Sequence, residues 1–349
     1  MRKYQALCLV VMLSFTSAIF IASLTRNVSI VTDKTFIFND KHVPLDKPIK
    51  IKVNFVWEPI PSNENPHCLI YDLLNDTYKL TYSEEPDFWF FTSKSIDVYY
   101  KNALKIFLSG ENTMPDFNKC DYAATFSYIN FSDRHFRYDF GFSRGLYKAA
   151  RERKNTILPK EMATRRFCNF LYGNDNMDLE GVVLRKRFFR LLSKYKHIDS
   201  PGKVYNNMPN PISSSKNWQE EKQKFLEGYK FTIAFENSNS DGYTTEKLPD
   251  PLVAHSIPIY FGNPKVGLEY NKKAFIHVND YKSLEDVVKK VIELDNDDDA
   301  YMAMLNEPPL LNPEYDHDEG LKNFLGNIIK NGKSYHKNTL GLGMETQED

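Results

Sequence analysis

Phe235-Glu236-Asn237-Ser238-Asn239-Ser240-Asp241-Gly242-Tyr243-Thr244-Thr245 runs straight into Glu246-Lys247, and how this stretch is read decides the fold. An apolar, β-prone run from Tyr229 to Phe235 leads into it, and a second such run, Ile257 to Phe261, follows. Strand, polar loop, helix start and strand in that order describe a parallel α/β unit. In such folds ligands bind beyond the carboxyl ends of the strands, where a helix N-terminus favours anions. The loop brings amide, hydroxyl, carboxylate, phenol and ammonium groups to one place. That mixture suits a nucleotide sugar: a carboxylate for ribose hydroxyls, an ammonium for phosphate, an aromatic ring for a ring face. Taken singly, each of these residues reads as an ordinary solvated surface group. The complete string does not.

Working outward, Ile51 to Trp57, Phe88 to Phe91 and Ala103 to Ser109 read as strands bounded by Pro, Asn, Asp or Gly. With intervening helices they make a first α/β unit over 51–155. The polar stretch Asn155 to Lys160, carrying Pro159, reads as a hinge. A second unit over 156–333 follows: strand Phe167 to Tyr172, helix Leu179 to Tyr195, and strands Phe231 to Phe235, Pro258 to Phe261 and Phe275 to Val278. Amphipathic helices Leu284 to Leu294 and Leu321 to Ile329 complete it. Pro249 and Pro251 each remove a backbone donor, so the helix after the loop begins late or has irregular first turns. Residues 334–349 read as a disordered tail.

The 349 residues suffice for one large or two medium cores. Hydrophobic and charged fractions of 42% and 26% are those of a globular body, and a net charge of -1 excludes the basic face of a nucleic-acid binder. The N-terminus differs. Tyr4 to Leu24 carries no charge and follows Arg2-Lys3. Roughly 20 apolar residues span a bilayer, and the positive flank stays cytoplasmic. Residues 1–26 therefore read as a cytoplasmic tip and a single transmembrane signal anchor, and 27–50 as a stem, with the rest beyond the membrane. A cleavable signal peptide is the competing reading, with a poor small-x-small site at Ala18 to Ala22. The sequons at Asn27, Asn75 and Asn130 agree with a lumenal body. Cys8 falls in the anchor, leaving Cys68, Cys120 and Cys168: one disulfide and a thiol, or three buried thiols. There is no Cys-x-x-Cys pair.

Three separate motifs, in order, carry a family likeness across roughly Ile51 to Lys333. Phe235-Glu236-Asn237-Ser238, then Tyr243-Thr244-Thr245-Glu246-Lys247 and Ile257-Pro258-Ile259-Tyr260-Phe261-Gly262, resembles the donor-binding signature of the α-1,3-fucosyltransferases. Phe107 to Asn112, followed by Asp116-Phe117-Asn118 and Cys120-Asp121-Tyr122-Ala123, is similar to that family's acceptor-side segment. Arg166 to Phe170, with Tyr195 to Lys203 after the helix, resembles its middle segment. The missing terminal Cys-x-x-Cys makes the bacterial-type catalytic body the nearer likeness. The resemblance implies two Rossmann-like domains facing across a cleft (the GT-B architecture), here preceded by the N-terminal helix. It implies inverting transfer of L-fucose from GDP-fucose to the 3-hydroxyl of N-acetylglucosamine in a glycan, and with the anchor a type II Golgi membrane enzyme with a lumenal body. The competing functions are an inverting transferase with another nucleotide sugar, and an inactive carbohydrate-binding paralogue. The latter would be expected to have lost Glu111, Arg185 or Lys247, all of which are present.

Inverting transfer needs a base for the acceptor hydroxyl and cations for the departing diphosphate. Glu111 follows a strand and Gly110, at a domain edge facing the cleft, and the resemblance makes it the general base. Without the motif it reads as a capping or salt-bridged residue. Arg185, within the basic run Leu184 to Arg190, matches the family's phosphate-contacting arginine, since Phe188 keeps the spacing; a guanidinium binds phosphate bidentately. By the same likeness Lys247 is the second cation, Glu246 accepts from the ribose hydroxyls, and Asn237 and Tyr243 border the sugar diphosphate. Asp295 to Asp299 follows a helix rather than a strand, so it reads as a solvated helix terminus, not a metal-bridging pair. No metal is required on this reading; Mn2+ is left open as a stimulant. His135 reads as a surface histidine and His255 as structural. The acceptor is expected to be read by loops at 57–87 and 130–144, with a lactosamine antenna and an N-glycan core both open.

Overall fold

The computed structural model describes residues 47–55, 59–93, 100–152, 158–209, 212 and 218–335. The anticipated anchor, most of the stem, Asn27 and nearly all of the tail lie outside the described residues. Among those described, no helix is long and apolar enough to cross a membrane.

Two wholly parallel sheets carry the chain. The first holds β1 (Ile49–Asn54), β2 (Leu80–Tyr82), β3 (Phe88–Phe91), β4 (Leu104–Ser109), β5 (Tyr122–Thr125) and β6 (His135–Arg137), in the order β2-β1-β3-β4-β5-β6. The second holds β7 (Arg166–Asn169), β8 (Ile198–Asp199), β9 (Tyr229–Phe235), β10 (Ile257–Phe261) and β11 (Ile276–His277), in the order β11-β10-β9-β7-β8. Strands covered on both faces read as unbroken apolar runs rather than alternating ones. Phe88–Phe91, Tyr229–Phe235 and Ile257–Phe261 are accordingly buried at every position. Pro258 is tolerated inside β10 because β11 pairs only from Ile259 onward. The strand anticipated over Ile51 to Trp57 begins and ends earlier, at Ile49 and Asn54.

Helices α1 (Leu69–Leu74), α2 (Arg144–Glu152), α3 (Glu180–Leu192), α4 (Trp218–Leu226), α5 (Pro249–Val253), α6 (Leu284–Asn296), α7 (Asp298–Asn306) and α8 (His317–Asn331) cover the sheets. α5 starts at the proline itself: Pro249 occupies its first turn, where an absent N–H costs nothing. α6 buries Leu284, Val287, Val291 and Leu294 along the anticipated face.

The units exchange helices, which the sequence reading did not anticipate. Leu321, Leu325, Ile328 and Ile329 of α8, expected to finish the second unit, pack into the first core with Ile49, Ile51, Phe88 and Ile106. At about 1.5–3 kcal/mol for each fully buried side chain, this return helix is a principal tie between the ends of the chain. Conversely, Leu146 and Tyr147 of α2 pack with Leu248, Leu252, Tyr260, Val266 and Tyr270 of the second unit. Periodicity reveals that a helix has an apolar face, not which core that face fills.

Candidate active site

The quoted loop begins where β9 delivers Glu236 into the interior, fully buried. A buried carboxylate needs donors, and the same loop folds back to supply them. Thr245 donates its N–H to Glu236 Oε1 at 2.7 Å and its hydroxyl to Oε2 at 2.8 Å. Lys247 Nζ lies 3.3 Å from Glu236 Oε2, 3.1 Å from Glu246 Oε1 and 2.9 Å from Thr245 Oγ1. Burial opposes the Lys247 charge, but the two carboxylates outweigh it and raise its pKa. Burial likewise pushes Glu246 up, yet Lys247 and Lys222 bring it down to about 2. Glu246 is thus a fixed acceptor, with its side chain 31% exposed, and Lys247 a fixed cation.

Arg185 approaches from α3. Gly181 opens that helix, and its N–H bonds the Asn237 carbonyl at 3.0 Å. A Cβ on Gly181 would stand 1.8 Å from the Glu236 carbonyl oxygen, so only glycine lets the helix seat against the loop. One turn on, Arg185 is wholly buried on the face shared with Val182 and Phe188. Its guanidinium donates to Asn237 Oδ1 at 3.0 Å and to the Asn174 carbonyl at 2.6 Å, above the Tyr172 ring at 4.1 Å. The Tyr172 hydroxyl is tied to β9, donating to the Ile233 carbonyl at 3.0 Å and accepting from the Phe235 N–H at 2.6 Å. Arg185 therefore meets the cleft through Asn237, which is itself half-buried.

The first unit forms the opposite wall. Glu111 is exposed two residues beyond β4, its N–H held by Ser109 Oγ at 3.2 Å. Next to it, Asn112 donates to the Ser240 hydroxyl at 2.8 Å, so the two candidate loops touch. Tyr243 is buried edge-on to Phe126 at 5.2 Å; burial raises its pKa, and the charge of Glu111 is among the further causes. Gly242, with φ at +87°, passes so close to the Phe126 carbonyl that a Cβ would lie 2.0 Å from it. Asn263 pins this crossing, accepting from the Gly242 N–H at 2.8 Å and donating to Tyr128 at 3.3 Å. Arg137 and Glu269 form a further bridge at 2.8 Å.

Glu111, Arg185, Asn237, Tyr243, Glu246 and Lys247 thus gather around one cleft. Sequence reasoning quoted Glu236 and Thr245 within the motif without giving either a role of its own, and gave none to Tyr172 or Asn263; these four hold the others in place. The signal for Glu236 was present: an acidic residue directly after the apolar Phe231, Ile233, Ala234 and Phe235 of a buried strand must find a partner, and the lysine eleven residues on is that partner.

Two expectations are corrected. Asp295 is not a solvated terminus: its side chain is 4% exposed and pairs with Lys230 at 3.0 Å and with Lys196. Asp297 caps α7 through the Ala300 N–H. His135 is not a surface histidine but buried, between Thr125 Oγ1 at 2.9 Å and the Ile129 carbonyl at 3.1 Å, and burial takes its pKa down to about 4. Cys68, Cys120 and Cys168 are three buried thiols, one of the two arrangements the sequence left open. His255, with φ at +54°, ends α5, and its carbonyl accepts from Arg165 at 2.8 Å. Asn75 and Asn130 are exposed. Among the described residues, no group of three or more His, Cys, Asp or Glu side chains could hold a metal.

Two parallel α/β units, the second carrying a buried cation–carboxylate cluster at the carboxyl end of β9, make a fold of the two-Rossmann build. Comparison with known proteins agrees. Residues 53–142 match the N-terminal domain of the α-(1,3)-fucosyltransferase FucT, and residues 174–306 match the C-terminal region of glycosyltransferase family 10 (fucosyltransferase). The chain belongs to that family. It is 28% identical over 302 residues to the α-(1,3)-fucosyltransferase FucT of Helicobacter pylori, covering 75% of this chain and 60% of that one. It is 33% identical over 126 residues to the GDP-fucose protein O-fucosyltransferase 3 of Bos taurus, covering 35% and 26%. The chain thus spans well under two thirds of the length of these relatives. A crystal structure of an α1,3-fucosyltransferase with GDP-fucose superposes with a TM-score of 0.66 at 28% identity, covering 83% of this chain and 93% of that one.

Proposed function

We propose that this chain transfers L-fucose from GDP-fucose to the 3-hydroxyl of N-acetylglucosamine in a glycan, with inversion, from a type II position on the lumenal face of the Golgi membrane. The observation that carries the reading is the buried cluster of Glu236, Lys247, Glu246, Asn237 and Arg185 at the carboxyl end of β9. A fold shared with an enzyme solved with GDP-fucose supports the choice of donor. Glu111 takes the proton of the acceptor hydroxyl as its oxygen attacks the anomeric carbon. The bond from that carbon to the diphosphate oxygen breaks, and Lys247 and Arg185 offset the charge left on GDP. Glu246, held ionised, accepts from the ribose hydroxyls; Asn237 and Tyr243 border the sugar diphosphate. Cations at both ends of the loop make a metal dispensable for this step, with Mn2+ at most a stimulant.

The test incubates the protein with GDP-fucose and lactosamine, N-glycan-core and peptide acceptors, with and without EDTA, reading product mass and linkage. An α-1,3-fucosylated glycan formed in EDTA is expected. Fucose on a peptide hydroxyl would instead establish the acceptor named for the bovine relative. Absence of GDP-fucose binding would overturn the reading.

A further inference from the structure

Away from the donor loop, a cleft of about 130 Å3 opens between α2 and the approach to α8. Two tyrosines frame the ring of His317 edge-on, Tyr147 with centroids at 5.3 Å and Tyr315 at 4.6 Å. His317 is only 9% exposed; its Nε2 bonds the Tyr147 hydroxyl at 3.1 Å, while its buried Nδ1 has no hydrogen-bond partner. Buried polar atoms in folded proteins nearly always have one. Tyr315 stands at the mouth, 39% exposed.

The charges around the cleft are already engaged. Asp139 accepts from the N–H groups of Gly141 and Ser143, and Asp316 from those of Asp318 and Glu319 at the start of α8. Asp318 is held by Arg144 and the Tyr138 hydroxyl, and Arg151 donates to the Pro313 carbonyl at 3.2 Å. Three carboxylates stand against two guanidiniums, each engaged by partners within the protein, so the lining offers no free cation to an anionic ligand. What remains is aromatic surface, an unmatched ring nitrogen and spare guanidinium N–H groups, the equipment that recognises a neutral polyhydroxylated ring. The volume holds on the order of ten water-sized positions, about the space of one pyranose. Asp139 adjoins Phe140, whose ring packs 3.5 Å from the place a Cβ on Gly110 would take, immediately before Glu111. The cleft is therefore neighbour to the loop carrying the candidate base.

We propose that this cleft is a second carbohydrate subsite, which binds one sugar unit of the acceptor glycan beyond the unit that receives fucose. The inference rests on the transferase reading above. Tyr315 stacks on the pyranose face, and His317 Nδ1 and Arg151 bond its hydroxyls. The subsite makes the enzyme a reader of chain length.

The experiment uses lactosamine oligosaccharides of increasing length with the full chain. Saturation-transfer NMR reads binding in the presence of GDP, and initial rates read transfer. The parent protein is expected to show a KM about tenfold lower for the longer chains than for the disaccharide, the effect of one stacked, hydrogen-bonded ring. Tyr315→Ala should abolish that gain and the saturation of the outer sugar, leaving disaccharide KM, kcat and GDP-fucose hydrolysis unchanged; Tyr315→Phe should restore it. An unchanged length dependence in Tyr315→Ala, or an equal loss on short and long acceptors, would overturn the subsite. Length-dependent binding lost in Tyr315→Ala, with no transfer to any acceptor, would overturn the transferase reading alone. Absence of oligosaccharide binding would overturn the subsite whatever the donor result.

Discussion

Replacing Lys247 by Met strands a carboxylate in the interior, and the structure sets the cost. Glu236 is fully buried, so without the ammonium 3.3 Å away only the Thr245 N–H and hydroxyl remain to it. Removing one partner of a buried ion pair costs about 3–5 kcal/mol. Lys247 is 18% exposed and the freed Glu246 31%, so the lower end, about 3 kcal/mol, applies. Glu236→Gln alone costs less, about 1–2 kcal/mol, because Lys247 keeps Glu246. The double variant, with no buried charge unmatched, should be only about as unstable as Lys247→Met or better, a coupling of about 2 kcal/mol. The sign of the pH dependence adds a second check. Burial already raises the Glu236 pKa, and losing Lys247 raises it further. The folded variant then holds a proton that the unfolded chain does not, so its stability falls as pH rises through the unfolded carboxyl range towards the folded value. Its deficit against the parent should therefore shrink between pH 7.5 and pH 5.5. Urea unfolding followed by the fluorescence of buried Trp89 measures all four proteins. A double variant as unstable as the sum of the singles, or a deficit independent of pH, refutes the reasoning.

Other perturbations separate chemistry from architecture. Glu111→Gln should lower turnover by a factor on the order of 10²–10⁴ with GDP-fucose affinity unchanged; normal turnover by mass spectrometry would remove Glu111 as the base. Gly181→Ala forces a methyl to within 1.8 Å of the Glu236 carbonyl, so α3 must retreat. A loss of about 1–3 kcal/mol with weakened GDP binding is expected by thermal unfolding and calorimetry, and an unchanged Tm would contradict it. His135, taken from 6.5 to about 4 by burial, is neutral in the fold. The unfolded chain binds its proton first on acidification, so this stability is complete above about pH 6.5 and lost towards pH 4, by about 3 kcal/mol. His135→Gln should flatten that part of the stability profile, and an unaltered slope would assign the acid sensitivity elsewhere.

Much of the fold was legible because parallel strands buried on both faces leave apolar runs, unbroken in Phe88–Phe91 and Ile257–Phe261 and interrupted only by Lys230 and Thr232 in Tyr229–Phe235. β2, β6 and β8 are two or three residues long and carry no such run, so they escaped. The candidate site was legible where a side chain faces the cleft, as Glu111, Glu246 and Lys247 do. It was opaque where the side chain works on another residue. Tyr172 and Asn263 carry no local pattern, since Tyr172 has partners 61 and 63 residues away and Asn263 one 21 residues away. Asp295 misled for the same reason: within a run of acids it looks solvated, and only the fold brings Lys230 across 65 residues to bury it.

The exchange of helices joins these observations. α8 fills the first core and α2 the second, so the two sheets cannot separate without exposing apolar surface from both. That exchange leaves the contacts across the cleft, the Tyr243 ring against Phe126 among them, free to be mostly polar. Asn112 on Ser240, Asn263 on Tyr128 and Arg137 on Glu269 set the spacing of the walls without having to hold them together. Glu111 and Lys247 come from different units, and transfer requires the hydroxyl's base and the diphosphate's cation at a fixed separation, where small misplacements are costly to rate. The rigidity of that separation resides in Leu321, Leu325, Ile328 and Ile329 of α8 and in Leu146 and Tyr147 of α2, two helices whose destinations the sequence pattern did not reveal.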